Sequence, residues 1–245
     1  MAKFGLIGKH IDYSFSRAYF SEKFKNEGLY HTYENFDINT IEEFSEIINA
    51  TNHLRGLNVT IPYKEAVIPY LNKLHKTAKK IGAVNTIKIK KNGRLIGYNT
   101  DYYGFKKSIE PYLKPHHKKA LILGTGGASK AIAYALKKLG IEYSYVSRNL
   151  VANATFTYDS LTENDIKEHQ IIINCTPLGT HPKTNECPNI PYDAINKTHL
   201  VFDLIYNPEE TKFLTIAKIK GASICNGYKM LELQAEKAWR IWQKC

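Results

Sequence analysis

Ala120-Leu121-Ile122-Leu123-Gly124-Thr125-Gly126-Gly127-Ala128-Ser129 reads as a strand, a turn and the opening of a helix. The four apolar residues show no polar alternation, as a strand covered on both faces of a parallel sheet requires. Gly124 allows the tight turn, Gly126 lets backbone amides approach a pyrophosphate, and small Ala128 and Ser129 permit close packing of helix on strand. The third glycine of G-x-G-x-x-G is absent. The helix N-terminus adds partial positive charge where phosphates would lie. A plain turn between strand and helix is the other reading. The strand–loop–helix context favours a dinucleotide held by Gly124, Thr125, Gly126, Gly127 and Ala128.

The following strand selects the dinucleotide. An NAD site usually ends it with an acidic residue, about 20 positions past the loop, that binds the ribose 2′-hydroxyl. Here the strand runs into Ser147-Arg148-Asn149. A carboxylate would repel a 2′-phosphate, whereas Arg148 pairs with it and stacks on adenine. The expected cofactor is NADP(H).

Outward from this unit, Gly127–Leu139 is expected as a helix and Tyr143–Val146 as a strand, with further strands at Ile171–Asn174, Leu200–Leu204 and Ala222–Cys225. Glu209–Ile219 reads as helical. A closing amphipathic helix, Lys229–Gln243, carries Leu231, Ala235, Ala238 and Trp242 on one stripe. Towards the N-terminus, Phe4–Gly8, Tyr30–Phe36 and Leu54–Ile61 read as strands, and Arg17–Glu27 and Ile41–Asn49 as helices. Ala83–Lys90 and Leu95–Asn99 form a hairpin about Asn92-Gly93. The Pro- and Lys-rich stretch from Pro111 to Lys119 marks a domain boundary. A mixed sheet flanked by helices therefore precedes the parallel one, giving a two-domain α/β fold.

The length of 245 residues suffices for two cores. A hydrophobic fraction of 43% with 12% aromatics belongs to a globular chain, not a disordered one. The net charge of +11 comes from lysines scattered in ones to threes (Lys88, Lys90, Lys91; Lys118, Lys119; Lys137, Lys138), with no long basic arm. It reads as a field that gathers anionic ligands, and no nucleic-acid-reading module is recognised. Cys175, Cys187, Cys225 and Cys245 are far apart, as in a reducing compartment. No histidine spacing suggests a metal site. Neither a signal peptide nor an apolar run of about 20 residues is found, so a cytoplasmic, non-membrane protein is expected.

The second informative stretch is Gly56-Leu57-Asn58-Val59-Thr60-Ile61-Pro62-Tyr63-Lys64. Val59 and Ile61 read as buried strand positions, with Asn58 and Thr60 between them. Pro62 ends the ladder, which places Lys64 just past a rigid corner. A solvated lysine after a strand end is the bland alternative. The nucleotide loop and an Asn-Thr-Asp cluster at Asn99-Thr100-Asp101 favour chemistry.

Motifs in chain order resemble the shikimate dehydrogenase family over nearly the whole sequence. They are Gly8 with Ser14-Phe15-Ser16, Gly56–Lys64, Gly82-Ala83-Val84-Asn85-Thr86, Gly97–Asp101, Gly124–Ser129, Ile173–Gly179, Asp203–Pro208, and Gly227–Leu231 with Gln234-Ala235. The resemblance implies an N-terminal α/β substrate domain with a mixed sheet (1–101 and 229–245) and a Rossmann-like NADP-binding domain (102–228). It implies reversible NADPH-dependent reduction of 3-dehydroshikimate to shikimate, by a monomer or homodimer without nucleic-acid or membrane partners.

The resemblance also implies roles. Ser14 and Ser16 would bind the substrate carboxylate, where a helix-capping serine turn is the alternative reading. Thr60, Asn85, Asp101 and Gln234 would hydrogen-bond the ring hydroxyls, with Asn58 and Tyr206 nearby. Thr176, Leu204, Gly227 and Met230 would border the nicotinamide, core packing being the alternative for Leu204 and Met230. Lys64 and Asp101 would form the catalytic pair, the ammonium supplying a proton and positive charge to the developing alkoxide.

Two departures stand out. Arg17 follows the serine pair where the family usually has proline. Only residues 147–154 separate Val146 from the strand-like Thr155–Tyr158, whereas a crossover helix needs at least about 10–12 residues. That helix is therefore shortened or missing, which bears on the outer wall of the adenine pocket. A quinate/shikimate dehydrogenase of broader specificity is the nearest alternative function, and a non-catalytic NADP-binding sensor a more distant one.

Overall fold

Strand and helix periods are read directly in the computed structural model, which describes residues 1–11, 14–149 and 154–243. The first hundred residues form β1 (Ala2–Gly8), α1 (Phe15–Asn26), β2 (His31–Asp37), α2 (Phe44–Ala50), β3 (Leu54–Val59), β4 (Lys73–Leu74), α3 (Lys76–Ile81), β5 (Thr86–Ile89) and β6 (Leu95–Tyr98). The remainder forms α4 (Asp101–Ile109), β7 (Lys119–Leu123), α5 (Gly127–Leu139), β8 (Glu142–Ser147), β9 (Phe156–Thr157), α6 (Glu163–Glu168), β10 (Ile171–Asn174), β11 (Leu200–Asp203), α7 (Lys212–Ile219), β12 (Ser223–Cys225) and α8 (Tyr228–Gln243). The chain divides into two compact units, Met1–Thr100 with Ala235–Cys245, and Asp101–Gln234.

The first unit is built on a mixed sheet of order β2-β1-β3-β5-β6-β4. β1 runs parallel to β2 and β3, whereas β5 is antiparallel to β3 and β6. The strand period of two sends Phe4 and Leu6 to one face, where they meet Phe20, Phe24, Ala235, Ala238, Trp239 and Trp242. Ile7, Leu57 and Val59 contribute to the other core, with Phe44, Tyr63, Val67 and Ala78. Gly56 is required by contact, because a Cβ there would strike the Trp242 indole.

The second unit holds an all-parallel sheet of order β12-β11-β10-β7-β8-β9. Ala120, Ile122, Ile171, Ile173, Leu200 and Phe202 pack against α4 and α5 residues on one face. Leu121, Leu123, Ile172 and Val201 pack against Ile166, Phe213, Leu214 and Ala217 on the other. Both faces are apolar, which is why these strands carry unbroken apolar runs.

Several expectations change. The proline-rich stretch 111–119 lies inside the second unit and does not divide the units. Strand β3 ends at Val59, so Thr60 and Ile61 belong to the turn that follows. The helix expected over Ile41–Asn49 begins as a 3-10 turn, Ile41–Glu43, capped by a Thr40–Glu43 box. On the closing helix, Trp239 joins Ala235, Ala238 and Trp242 in the core, whereas Leu231 does not. Thr155–Tyr158 contracts to β9, paired as Val146↔Phe156 and Ser147↔Thr157, and Tyr158 opens a 3-10 turn. Residues 150–153 of the short connection, and Cys245, lie outside the described residues. Among the described residues Cys187 and Cys225 are free thiols. Among the described residues no helix is long and apolar enough to cross a membrane, and no group of three or more His, Cys, Asp or Glu could hold a metal ion.

Candidate active site

In the first unit, Ser14 occupies the N-cap of α1 in extended conformation, but its side chain makes no capping hydrogen bond. Ser16, the second residue of the helix, is buried and hydrogen-bonds the Tyr33 side chain. The Tyr33 hydroxyl donates to Asn58 Oδ1 at 2.7 Å, and Asn58 Nδ2 donates to the Asn85 carbonyl and to Thr86 Oγ1. Asn85 Oδ1 in turn accepts from the Thr100 backbone N–H at 2.6 Å. Three expected residues, Ser16, Asn58 and Asn85, thus join one buried hydrogen-bonded chain, with Asn58 turned towards the protein. Thr86 and Thr100, which lie in the quoted motifs but had no role assigned, complete it with Tyr33, which was not expected. Burial pushes the Tyr33 hydroxyl well above its ordinary range, the Ser16 bond opposing.

Thr60 follows β3 and is tied to β1 by its N–H to the Ile7 carbonyl. The corner carrying Lys64 is pinned on both sides. Tyr63 donates its hydroxyl to the Ile38 carbonyl at 2.9 Å, and Val84 N–H donates to the Lys64 carbonyl at 2.7 Å. Lys64 itself is half-buried. Arg17 is exposed on α1.

In the second unit, Gly124 has φ +99°, where its turn favours glycine, and a Cβ there would lie 3.0 Å from Thr176 Cγ2. Gly126 is the N-cap of α5 and has open space beside it, so a Cβ would meet nothing within 4 Å. Thr125, Gly127 and Ala128 flank it, half-buried, and the buried Ser129 hydroxyl donates to the Gly126 carbonyl at 2.7 Å. Open space at a glycine N-cap of a 13-residue helix suits a phosphate approaching backbone N–H groups. Ser147 ends β8, with Arg148 and Asn149 exposed after it. Tyr158, another residue not expected, has a buried hydroxyl with no partner among the described residues. Burial pushes this hydroxyl up to about 12, with Cys175 adding and the Arg148 charge opposing.

Thr176 is fixed twice, its N–H and Oγ1 both donating to Asn174 Oδ1 at 2.9 and 2.6 Å. Leu204 and Tyr206, after β11, are half-buried. Gly227 packs against this segment so closely that a Cβ would strike the Leu204 carbonyl oxygen. Met230 is buried in the apolar core, and Gln234 is buried as well. Asp101, buried, opens α4. Burial pushes the carboxyl of Asp203, at the end of β11, up to about 6 against hydrogen bonds from Thr211, Ile205 and Asn174.

A parallel sheet with a glycine turn between its first strand and the following helix, in a chain that also has a mixed α/β unit holding a buried polar network, defines a dinucleotide-dependent dehydrogenase architecture. Residues 6–87 match the family model for the shikimate dehydrogenase substrate binding domain. The NADP(+) shikimate dehydrogenase of Clostridium botulinum is 40% identical over 97% of this chain and 95% of its own. The crystal structure of Aquifex aeolicus shikimate dehydrogenase superposes with a TM-score of 0.87 at 38% identity, covering 100% of this chain and 93% of that one. The Thermus thermophilus enzyme, solved with NADP(H) and shikimate, gives 0.88 at 30% identity, covering 99% and 94%. This chain belongs to the shikimate dehydrogenase family.

Proposed function

We propose that this protein is an NADP-dependent shikimate dehydrogenase that reversibly reduces 3-dehydroshikimate to shikimate in the cytoplasm. The observation that carries the reading is the near full-length relationship to NADP(+) shikimate dehydrogenases, in a chain that carries the substrate and cofactor motifs in order apart from the departures at Ser129, Arg17 and the short 147–154 connection. Residues 1–101 with 229–245 form the substrate domain and 102–228 the NADP domain. Ser14 and Ser16 receive the substrate carboxylate. Thr60, Asn85, Asp101 and Gln234 take the ring hydroxyls, with Asn58 behind them and Tyr206 nearby.

The glycine turn 124–128 and the α5 N-terminus receive the pyrophosphate, and Ser147, Arg148 and Asn149 the 2′-phosphate end. Thr176, Leu204, Gly227 and Met230 border the nicotinamide, which supplies the hydride when NADPH is bound. Lys64 gives the proton to the oxygen where negative charge develops, and its ammonium stabilises that charge. Asp101 is the carboxylate that works with it. In the oxidation direction Lys64 acts as the base. Monomer and homodimer are both compatible with this scheme, and it needs no nucleic acid.

Lys64→Ala tests the scheme. Turnover should fall by roughly 10²–10⁴, while calorimetric titration still shows shikimate and NADP⁺ binding. Near-normal turnover would remove Lys64 from the chemistry.

A further inference from the structure

Asp203, fully buried, receives three hydrogen bonds on its two carboxylate oxygens. Asn174 Nδ2 and the Ile205 N–H donate to Oδ1 at 3.1 and 3.0 Å, and the Thr211 hydroxyl donates to Oδ2 at 2.7 Å. All three donors are neutral, so the negative charge is held by dipoles alone. Asn174 and Thr211 are also fully buried. Uncompensated charge in a core is costly, and residues that persist in such places cluster at functional sites.

The two oxygens lead to different places. Through Oδ2, Thr211 is held while it caps α7. Through Oδ1, Asn174 is oriented so that its own Oδ1 collects the Thr176 N–H and hydroxyl, while its Nδ2 also reaches the Leu178 carbonyl at 3.3 Å. The same Asp203 oxygen sets the turn at Ile205, between Leu204 and Tyr206. Gly227 N–H then donates to the Ile205 carbonyl at 3.0 Å. Thr176, Leu204 and Gly227, from three separate segments, thus depend on one carboxylate oxygen.

We propose that Asp203 is a positioning residue for the nicotinamide end of the cofactor site, holding the loops after β10 and β11 in register through its Oδ1. This rests on the NADP-dependent reading given above. Helix capping alone would use only Oδ2 and would leave the Asn174 branch without purpose. A carboxylate accepts on both branches at once, and an asparagine can keep the Oδ1 branch while presenting an N–H to Thr211, whose hydroxyl can turn to accept.

Three variants separate the branches: Asp203→Ala removes both, Asp203→Asn keeps Oδ1, and Thr211→Val removes only the capping branch. The readouts are turnover with shikimate, and the calorimetric affinities for NADP⁺ and for 2′,5′-ADP, which lacks the nicotinamide end. In Asp203→Ala, turnover should fall at least about tenfold, the scale of a lost charge-assisted hydrogen bond. NADP⁺ should lose affinity relative to 2′,5′-ADP, which should bind within about twofold of wild type. Asp203→Asn and Thr211→Val should both keep turnover within about threefold, on the same hydrogen-bond scale. The proposal is overturned if Asp203→Ala weakens both ligands equally, if it leaves turnover and the affinity ratio unchanged, or if Thr211→Val falls as far. If wild-type protein binds NADP⁺ but does not oxidise shikimate, the substrate assignment fails instead, and the affinity ratio still decides the role of Asp203.

Discussion

Replacing Asp203 by Asn should change the pH dependence of stability in a direction opposite to that of most carboxylates. The Asp203 carboxyl has an ordinary value of 3.8 and burial raises it to about 6 in the folded protein. The native state therefore holds this proton more tightly than the unfolded chain. Stability falls as pH rises from about 4, and the loss is complete above about 6. At 1.36 kcal/mol per unit, a rise of about two units corresponds to roughly 3 kcal/mol. Asparagine does not titrate, and comparing the two proteins cancels the contribution of every other group.

Both tryptophans, Trp239 and Trp242, lie in the first unit's core, so their fluorescence does not follow the sheet that holds Asp203. Urea unfolding should be followed by far-ultraviolet circular dichroism at several pH values between about 4.5 and 7.5. The difference in unfolding free energy should swing by roughly 2 kcal/mol in favour of Asn across that range, the rest of the loss falling below about pH 4.5. A difference that stays constant with pH would refute the reasoning.

Gly227→Ala should lower NADP⁺ affinity and turnover together, because its Cβ would strike the Leu204 carbonyl oxygen; steady-state kinetics give both. Arg148→Ala should cost NADPH at least about tenfold in affinity and NADH little, since a hydrogen bond to a charged group is worth about 1.5–3 kcal/mol. Tyr33→Phe keeps the ring stacked on Phe20 but leaves Asn58 Oδ1 without its donor. A loss of about 1–3 kcal/mol is expected, with a higher KM for shikimate than wild type, and urea melts followed by tryptophan fluorescence will report it.

Legibility in the sequence followed the strength of the local signal. Gly127–Leu139 and Ile171–Asn174 were placed to the residue, since both combine a strong apolar pattern with a glycine or polar stop. Short elements escaped: α3 has six residues, α6 six, and α4 begins within the Asn-Thr-Asp motif, where chemistry masks the helical period. The proline-rich stretch 111–119 mimics a linker but is a surface connection within one unit.

The site residues stood out because they are polar in otherwise apolar strands or lie in glycine turns. Their supports did not. Tyr33 reads as an ordinary inward strand aromatic, and only its 2.7 Å bond to Asn58 shows its hydroxyl at work. Asp203 and Asn174 were visible as motif members, but that they meet at 3.1 Å between adjacent strands is a fact of sheet order, which no local pattern carries.

The most direct measurement follows NADPH absorbance on mixing the purified protein with shikimate and NADP⁺, then with quinate, and then with NAD⁺. Shikimate with NADP⁺ should be turned over, with kcat/KM at least about tenfold above either substitution. No reduction of NADP⁺ by shikimate, or equal rates with quinate and NAD⁺, would contradict the assignment.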